Sequence, residues 1–209
     1  MRKGIIVNLK KFKLLDYMNL NKIFILLTVM FVAGIAVSAA IYNKNPALAG
    51  FSKKLFNDYI LLHTNVSFIK KFFSSFVKYV VILIVYFLFG TSMLGVAVVP
   101  FLTFWQGIIV GSISAHLYTV YALKGIAFNA IVMVPSSIIF TICTFFAAKE
   151  SIGFSLLMAK LTLPNSKPAS MYTDFRKFCA KFVIIIGVLI LNAVVDVVLN
   201  MLFLKFFNF

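Results

Sequence analysis

The sequence has little charge and very little acid. Of its 209 residues, 12% are charged, and only 5 are Asp or Glu. Soluble globular domains are about 25% charged and about 45–50% apolar, whereas 63% of this chain is hydrophobic. A soluble domain of this size could not bury so much apolar surface, and a disordered chain needs low hydrophobicity. The composition therefore predicts a single integral membrane domain over residues 1–209.

Residues that build catalytic or metal sites are also scarce. The chain has 2 cysteines, 2 histidines and no glycine-rich phosphate loop. No spacing matches a metal site, and no nucleophile stands near a base in sequence. We therefore expect no enzyme activity, no metal and no cofactor. We also expect no nucleic-acid partner, because the lysines flank apolar runs and do not share a solvated face with stacking aromatics.

Long apolar runs, in contrast, are abundant. A helix needs about 20 apolar residues to cross about 30 Å of hydrocarbon. Barrel strands would alternate in polarity, and these runs do not. The sequence therefore predicts an all-α, polytopic membrane helix bundle with five spanning helices. The predicted spans are residues 23–42, 76–97, 100–122, 125–148 and 182–204.

Two of these boundaries leave an alternative open. Residues 79–123 form a run of 45 residues without Lys, Arg, Asp or Glu, about right for two helices and a tight turn. Pro100 offers a helix start, since proline is tolerated in a first turn. A break between Gly90 and Gly95 is the alternative. The first span contains small residues like those of a signal-peptide cleavage site. The basic segment before it is longer than in a signal peptide, which favours an uncleaved membrane anchor.

Amphipathic segments flank the spans. Phenylalanines at 68, 72, 73 and 76 oppose Lys70 and Lys71 on a helix, and similar patterns recur at residues 3–13 and 154–161. Such segments are typical of interfacial helices whose lysines contact anionic headgroups. We expect Lys70, Lys71 and Lys78 to make these contacts.

The distribution of basic residues predicts an orientation. With five spans and the N-terminus inside, cytoplasmic segments carry twelve Lys or Arg and external segments carry eight. The positive-inside rule therefore favours a cytoplasmic N-terminus and an external C-terminus.

One acid interrupts the fifth span. A carboxylate near a helix centre costs roughly 2.5–3.5 kcal/mol to insert, so Asp196 should face protein. Asn192, Asp196 and Asn200 are spaced by four and share a helix face. An antiparallel fourth span would bring Asn129 level with Asn200 and Ser137 level with Asn192. We predict a polar seam between spans four and five, which either joins the helices or serves as a proton or partner site.

Small residues mark the third span and the turn before it. Gly107 and Gly111 have the GxxxG spacing that lets two helix backbones approach closely. Gly90, Ser92 and Gly95 lie in the preceding turn.

This arrangement of five spans, with Gly90, Ser92, Gly95, Gly107 and Gly111 in the hairpin and the helix after it, resembles the stage II sporulation protein M family. The resemblance implies a bacterial cytoplasmic membrane protein. It also implies a non-catalytic scaffold that works with peptidoglycan hydrolases during engulfment of the forespore. The family tends to carry an acid at the start of the fourth span, where the nearest polar residue of this chain is Asn129; either this chain lacks the activity that depends on that acid, or Asp196 takes its role.

The sequence is therefore compatible with two functions. The first is the scaffold, which anchors and recruits protein partners. The alternative is a small transporter or a membrane subunit of one, with Asp196 as a proton- or ion-linked residue, because transporters use midplane carboxylates and broken helices.

Overall fold

The computed structural model describes the backbone of residues 3–63, 67–161, 171–203 and 206. Side chains are described from residue 22 onward within those ranges, except at residues 62 and 63. The described residues form helices and no strand. The helices are α1 (Lys3–Tyr42), α2 (Pro46–His63), α3 (Phe68–Gly90), α4 (Gly95–Phe128), α5 (Val134–Leu161) and α6 (Met171–Phe203), with a π-helical turn (Asn129–Met133) between α4 and α5.

Four helical stretches of the described chain are long and apolar enough to cross a membrane. They are Lys22–Tyr42, Phe68–Gly90, Gly95–Leu161 and Met171–Phe203. The predicted helical class is confirmed for the described residues, and the membrane class is supported by these four stretches. The third stretch has 67 residues, or about 100 Å of straight helix, far more than one crossing requires.

That third stretch reverses direction at Ala122. Its backbone there has φ 46° and ψ −126°, a positive φ that residues with a Cβ rarely adopt. On either side of the bend, Asn129 bonds to Ser114 and Tyr118, while Gln106 bonds to Thr144. As residue numbers fall in the segment before the bend, the numbers of their partners rise in the segment after it. The two segments, which we call the arms of this stretch, are therefore antiparallel.

The π-helical turn follows from Pro135. Proline has no amide hydrogen, so a helix cannot keep its regular hydrogen bond at that residue. The turn lies just before it, and the Val134 amide bonds to the carbonyl of Asn129, one residue further back than in an α-helix. The extra residue of a π-turn accommodates the proline without breaking the arm.

The boundary between the second and third predicted spans differs from the structure. α3 ends at Gly90 and α4 begins at Gly95, so the break predicted between residues 97 and 100 is wrong and the alternative break is correct. The physical reason lies in another helix. The Ser155 hydroxyl of α5 donates to the carbonyl of Ser92 at 2.6 Å and accepts from the Val96 amide at 3.1 Å, which fixes the turn.

Three flanking segments belong to longer helices. Phe68 begins α3, residues 154–161 end α5, and α6 begins 11 residues before the predicted span at 182. The first span ends at Tyr42 in sequence and structure alike, but α1 begins at Lys3. The side chains predicted as amphipathic at residues 3–13 lie outside the described side chains, and residue 204, the predicted end of the fifth span, lies outside the described residues.

The bundle has two distinct ends. The turn end contains the α3–α4 turn, the end of α5 and the start of α6, all joined through Ser151, Ser155 and stacked aromatics such as Phe154 and Phe178. The α2 end contains the start of α3, the bend at Ala122 and the last turns of α6. There, α2 buries Ser52, Phe56 and Tyr59 against the bundle.

Candidate functional site: a buried acid at the α2 end

Asp196 is turned into the protein. Its side chain belongs to a residue that is only 3% exposed, on the face of α6 that also carries the buried Asn192 and Asn200. The Ser75 hydroxyl of α3 donates to Oδ2 of Asp196 at 2.7 Å. A carboxylate removed from water needs such donors, because burial without them is strongly unfavourable.

Tyr59 and Asn200 complete the shell around this acid. The Asn200 amide donates to Oδ1 of Asp196 at 3.3 Å, to the Asp196 carbonyl at 2.7 Å and to the Tyr59 hydroxyl at 2.6 Å. The Tyr59 hydroxyl donates to Oδ1 at 3.4 Å. We call Tyr59, Ser75, Asp196 and Asn200 the Asp196 cluster. It joins α2, α3 and α6.

Tyr59 keeps its proton in this setting. Burial raises the pKa of the Tyr59 phenol well above its ordinary value, and the nearby Asp196 carboxylate raises it further. Both effects disfavour a phenolate. Tyr59 is therefore a neutral hydrogen-bond donor to the acid.

One turn deeper, a second layer of polar groups adjoins the cluster. The Tyr79 hydroxyl of α3 and the Ser136 hydroxyl of α5 are 2.8 Å apart. The Asn192 amide lies beside Tyr79, yet among the described residues neither of its side-chain polar atoms has a hydrogen-bond partner. Because unpaired buried amides are rare, this position is the least satisfied polar site in the described bundle.

The residues of the predicted polar seam do not all meet between α5 and α6. Asn129 is buried, but its amide bonds within the α4–α5 hairpin to Ser114 at 3.1 Å and Tyr118 at 2.7 Å. Ser137 is half-buried, and its neighbour Ser136 makes the interhelix bond. Asp196 and Asn200 bond instead to α2 and α3. Reasoning from the sequence paired α6 with α5 alone, so it missed Tyr59, Ser75 and Tyr79.

The lysines of α3 have unequal surroundings. Lys71 is 8% exposed, whereas Lys70 and Lys78 are exposed. The Lys78 ammonium lies 5.4 Å from the centre of the Tyr59 ring, a cation–π distance. Lys70 is therefore exposed, the Lys78 ammonium lies over the Tyr59 ring, and Lys71 is turned into the bundle.

Gly107 and Gly111 contact α1. A Cβ on Gly107 would collide with the Phe31 carbonyl oxygen, and one on Gly111 would collide with the Ser38 hydroxyl. Gly34 of α1 is the reciprocal residue, since a Cβ there would meet the Phe104 carbonyl. Residue numbers increase in the same direction along the contacting faces of α1 and α4, so these helices are parallel. We call Gly34, Ser38, Gly107 and Gly111 the glycine interface.

The other predicted small residues lie at the turn end. A Cβ on Gly90 would be 2.9 Å from Ser151, and one on Gly95 would be 3.0 Å from the Ser155 Cβ and closer to the Phe89 carbonyl. The Ser92 carbonyl accepts a hydrogen bond from the Ser155 hydroxyl. Gly90, Ser92 and Gly95 could be predicted from the turn that they form in the sequence. No pattern in the sequence singled out Ser151 and Ser155 of α5 as their contacts.

Three interhelix hydrogen bonds involve His116 and Gln106 of α4. Nδ1 of His116 is 2.7 Å from the Tyr42 hydroxyl, which ties α4 to α1. Gln106 donates to Thr144 at 3.2 Å and accepts from Tyr86 at 3.4 Å. Within the described part of the chain, no group of three or more His, Cys, Asp or Glu could hold a metal ion.

Comparison with protein families, with curated proteins and with solved structures finds no match for this chain.

Proposed function

We propose that this protein is a non-catalytic membrane scaffold that crosses the bilayer five times and binds a protein partner through the outer face of α2. The four stretches of membrane length and the reversal at Ala122 support five crossings, because each arm of the third stretch is long enough to cross once. The resemblance to the stage II sporulation protein M family suggests the bacterial cytoplasmic membrane and a cell-wall hydrolase complex as partner.

The observation that carries this proposal is the two-sided nature of α2. Its inner face is fixed to the bundle by Phe56, which packs on His116, and by Tyr59. Its outer face exposes Phe51, Lys53, Lys54, Asp58 and Leu61, so the two lysines leave one net positive charge there. A helix that is fixed on one side and presents apolar and basic side chains on the other is suited to a partner with an acidic, partly apolar surface.

The charge distribution supports the side on which that partner would lie. The proposed orientation places the N-terminus inside, as the basic residues favour. α2 then lies on the external face, where the cell wall is. Lys70, near the start of α3, and Lys78, about two turns further along, would contact anionic headgroups at the same face.

A charge-reversal experiment tests the scaffold. The full chain is purified in mild detergent from its host, and peptidoglycan hydrolase activity is measured in the purified fraction. We expect activity to accompany the wild type and to be lost with Lys53→Glu/Lys54→Glu. The matched control, Lys160→Glu/Lys177→Glu, changes two exposed lysines at the turn end and should retain it. Absence of hydrolase activity, or its retention in the α2 variant, would contradict the proposal.

A second candidate is ion-linked transport, which the Asp196 cluster favours. Membrane carboxylates that face the protein interior commonly mark ion or proton pathways, and the unpaired Asn192 amide adjoins this one. Asp196→Asn keeps the shape of the side chain and removes its charge. If this change abolishes ion-dependent uptake into proteoliposomes while hydrolase binding persists, transport replaces the scaffold as the function.

A further inference from the structure

A groove runs along the outside of the bundle between α5 and α6, far from the Asp196 cluster. Its volume is about 400 Å³, within the range of about 300–1,000 Å³ typical of ligand sites. Its wall is apolar. The side chains that form it are Ile142, Cys143, Phe146, Ile184, Ile185 and Val188.

One end of this groove is charged. Lys149, Glu150 and Lys181 lie at its turn end, and they are the only charged residues among those lining it. The Lys181 ammonium is 2.5 Å from Oε2 of Glu150, with half of the lysine side chain still exposed. The Lys149 ammonium lies 5.2 Å from the Phe24 ring centre, which holds it beside α1. Two cations and one anion leave a net positive charge at this end.

The groove has the proportions of an acyl-chain site. From Ile142 to Glu150 it follows α5 for about 12 Å. The exposed side chains of Ile142, Phe146 and Ile184 form its rim, and the buried Cys143 and Ile185 form its floor. It runs along two helices of membrane length, so an occupant could enter sideways from the bilayer.

We propose that this groove binds an anionic phospholipid, with one acyl chain along the apolar wall and the phosphate at Lys149 and Lys181. Charge complementarity selects the occupant. Basic pockets between membrane helices bind anionic headgroups, and the lysine ammonium is a point charge suited to phosphate. In the proposed orientation this end faces the cytoplasmic leaflet. The inference requires α5 and α6 to lie in the bilayer and does not depend on the scaffold function.

Native mass spectrometry of the delipidated full chain tests the headgroup preference. Phosphatidylglycerol and phosphatidylcholine with identical acyl chains are titrated separately. We expect phosphatidylglycerol to bind more tightly by about five-fold, since this end carries one net positive charge and a basic residue near an anionic headgroup contributes about 1 kcal/mol. Lys149→Gln/Lys181→Gln should remove the preference, whereas Lys160→Gln/Lys177→Gln, which changes two lysines outside the groove, should keep it.

A second variant tests the apolar wall. Ile184→Trp would fill the groove from a position 68% exposed, so the bundle interior is undisturbed. We expect it to weaken both lipids at least ten-fold. The control, Val183→Trp, changes an adjacent residue that is 67% exposed and does not line the groove.

Three results would overturn the inference. The first is equal affinity of the wild type for the two phospholipids. The second is an unchanged preference in Lys149→Gln/Lys181→Gln. The third is a dimer in the same spectra that dissociates with Ile184→Trp, because a second copy of the chain would then be the occupant.

Discussion

The glycine interface and the Asp196 cluster join helices in opposite ways. At the glycine interface, α1 and α4 approach until backbone atoms leave no room for a Cβ at Gly34 or Gly107. At the Asp196 cluster, α2, α3 and α6 remain far enough apart to place a carboxylate, an amide and two hydroxyls between them. Both close backbone packing and interhelix hydrogen bonds can hold helices together in a bilayer.

This difference determines what each interface tolerates. A gap between two backbones cannot adjust to a larger side chain, so the glycine interface should reject any added volume. Hydrogen-bonding groups can be exchanged for others of similar shape, so the cluster should tolerate isosteric changes and fail when a partner is left unpaired. Three experiments, given from the largest expected effect to the smallest, test this contrast, and a fourth tests the bend at Ala122.

Gly107→Leu should have the largest effect. Its side chain would meet the Phe31 backbone, and we expect the free energy of unfolding to fall by at least about 3 kcal/mol, the upper range for overpacked cores. Thermal unfolding in detergent micelles measures it. The control is Gly187→Leu in α6, where a Cβ meets nothing within 4 Å. Similar melting temperatures for the two variants would show that α1 and α4 are not in close contact.

Asp196→Ala should come second. It removes the carboxylate to which the Ser75 and Tyr59 hydroxyls donate, and the free energy of unfolding should fall by about 2 kcal/mol. Asp196→Asn should cost less, because the amide keeps an oxygen that can accept. The control, Asp174→Ala, removes a loose ion pair with Lys177 at 3.9 Å and an acid from the first turn of α6, and it should change stability by less than about 1 kcal/mol. Equal effects of the two alanine variants would mean that the cluster does not hold the helices.

A double-mutant cycle sharpens the role of α2. Tyr59→Phe and Asn200→Ala each remove one side of the 2.6 Å bond between α2 and α6. Bonds of this type in membrane proteins couple by about 0.6 kcal/mol on average and by up to about 1.7 kcal/mol. We expect a coupling energy in that range from unfolding of the wild type, both single variants and the double variant. Strict additivity would place Tyr59 away from α6.

Ala122→Gly should have a small effect of the opposite sign. The backbone there has a positive φ, which costs a residue with a Cβ about 1–2 kcal/mol and glycine far less. We expect the free energy of unfolding to rise by about 1 kcal/mol. Ala130→Gly, in the exposed part of the π-helical turn, is the control and should be destabilising. A loss of stability in Ala122→Gly would contradict the reversal at this residue.

Much of the helical framework could be predicted from the sequence, because uncharged apolar runs of membrane length have few alternatives in lipid. The end of α1 at Tyr42 and the break between Gly90 and Gly95, offered as an alternative, follow from such runs. The choice of Pro100 as a helix start failed because the turn is fixed by Ser155, about 60 residues away in sequence.

The partners of the polar residues were harder to predict. The stripe of Asn192, Asp196 and Asn200 was visible from its spacing, but Tyr59 and Ser75 are more than 120 residues away and have no comparable pattern. Gly34 could have been found, since Gly34 and Ser38 have the same spacing as Gly107 and Gly111. Small residues at that spacing in two helices favour a contact between them, without fixing the partners.

The proposed five crossings require the third stretch to cross the bilayer once before it reverses at Ala122. Single cysteines at Leu94 and Leu123, exposed residues before and after that first arm, test this in a Cys143→Ala/Cys179→Ala background. Sealed vesicles are treated with a membrane-impermeant maleimide from one side at a time. We expect Leu94→Cys and Leu123→Cys to react from opposite sides, with Leu123→Cys on the side of a Lys54→Cys marker in α2. Labelling of both positions from the same side would contradict the account.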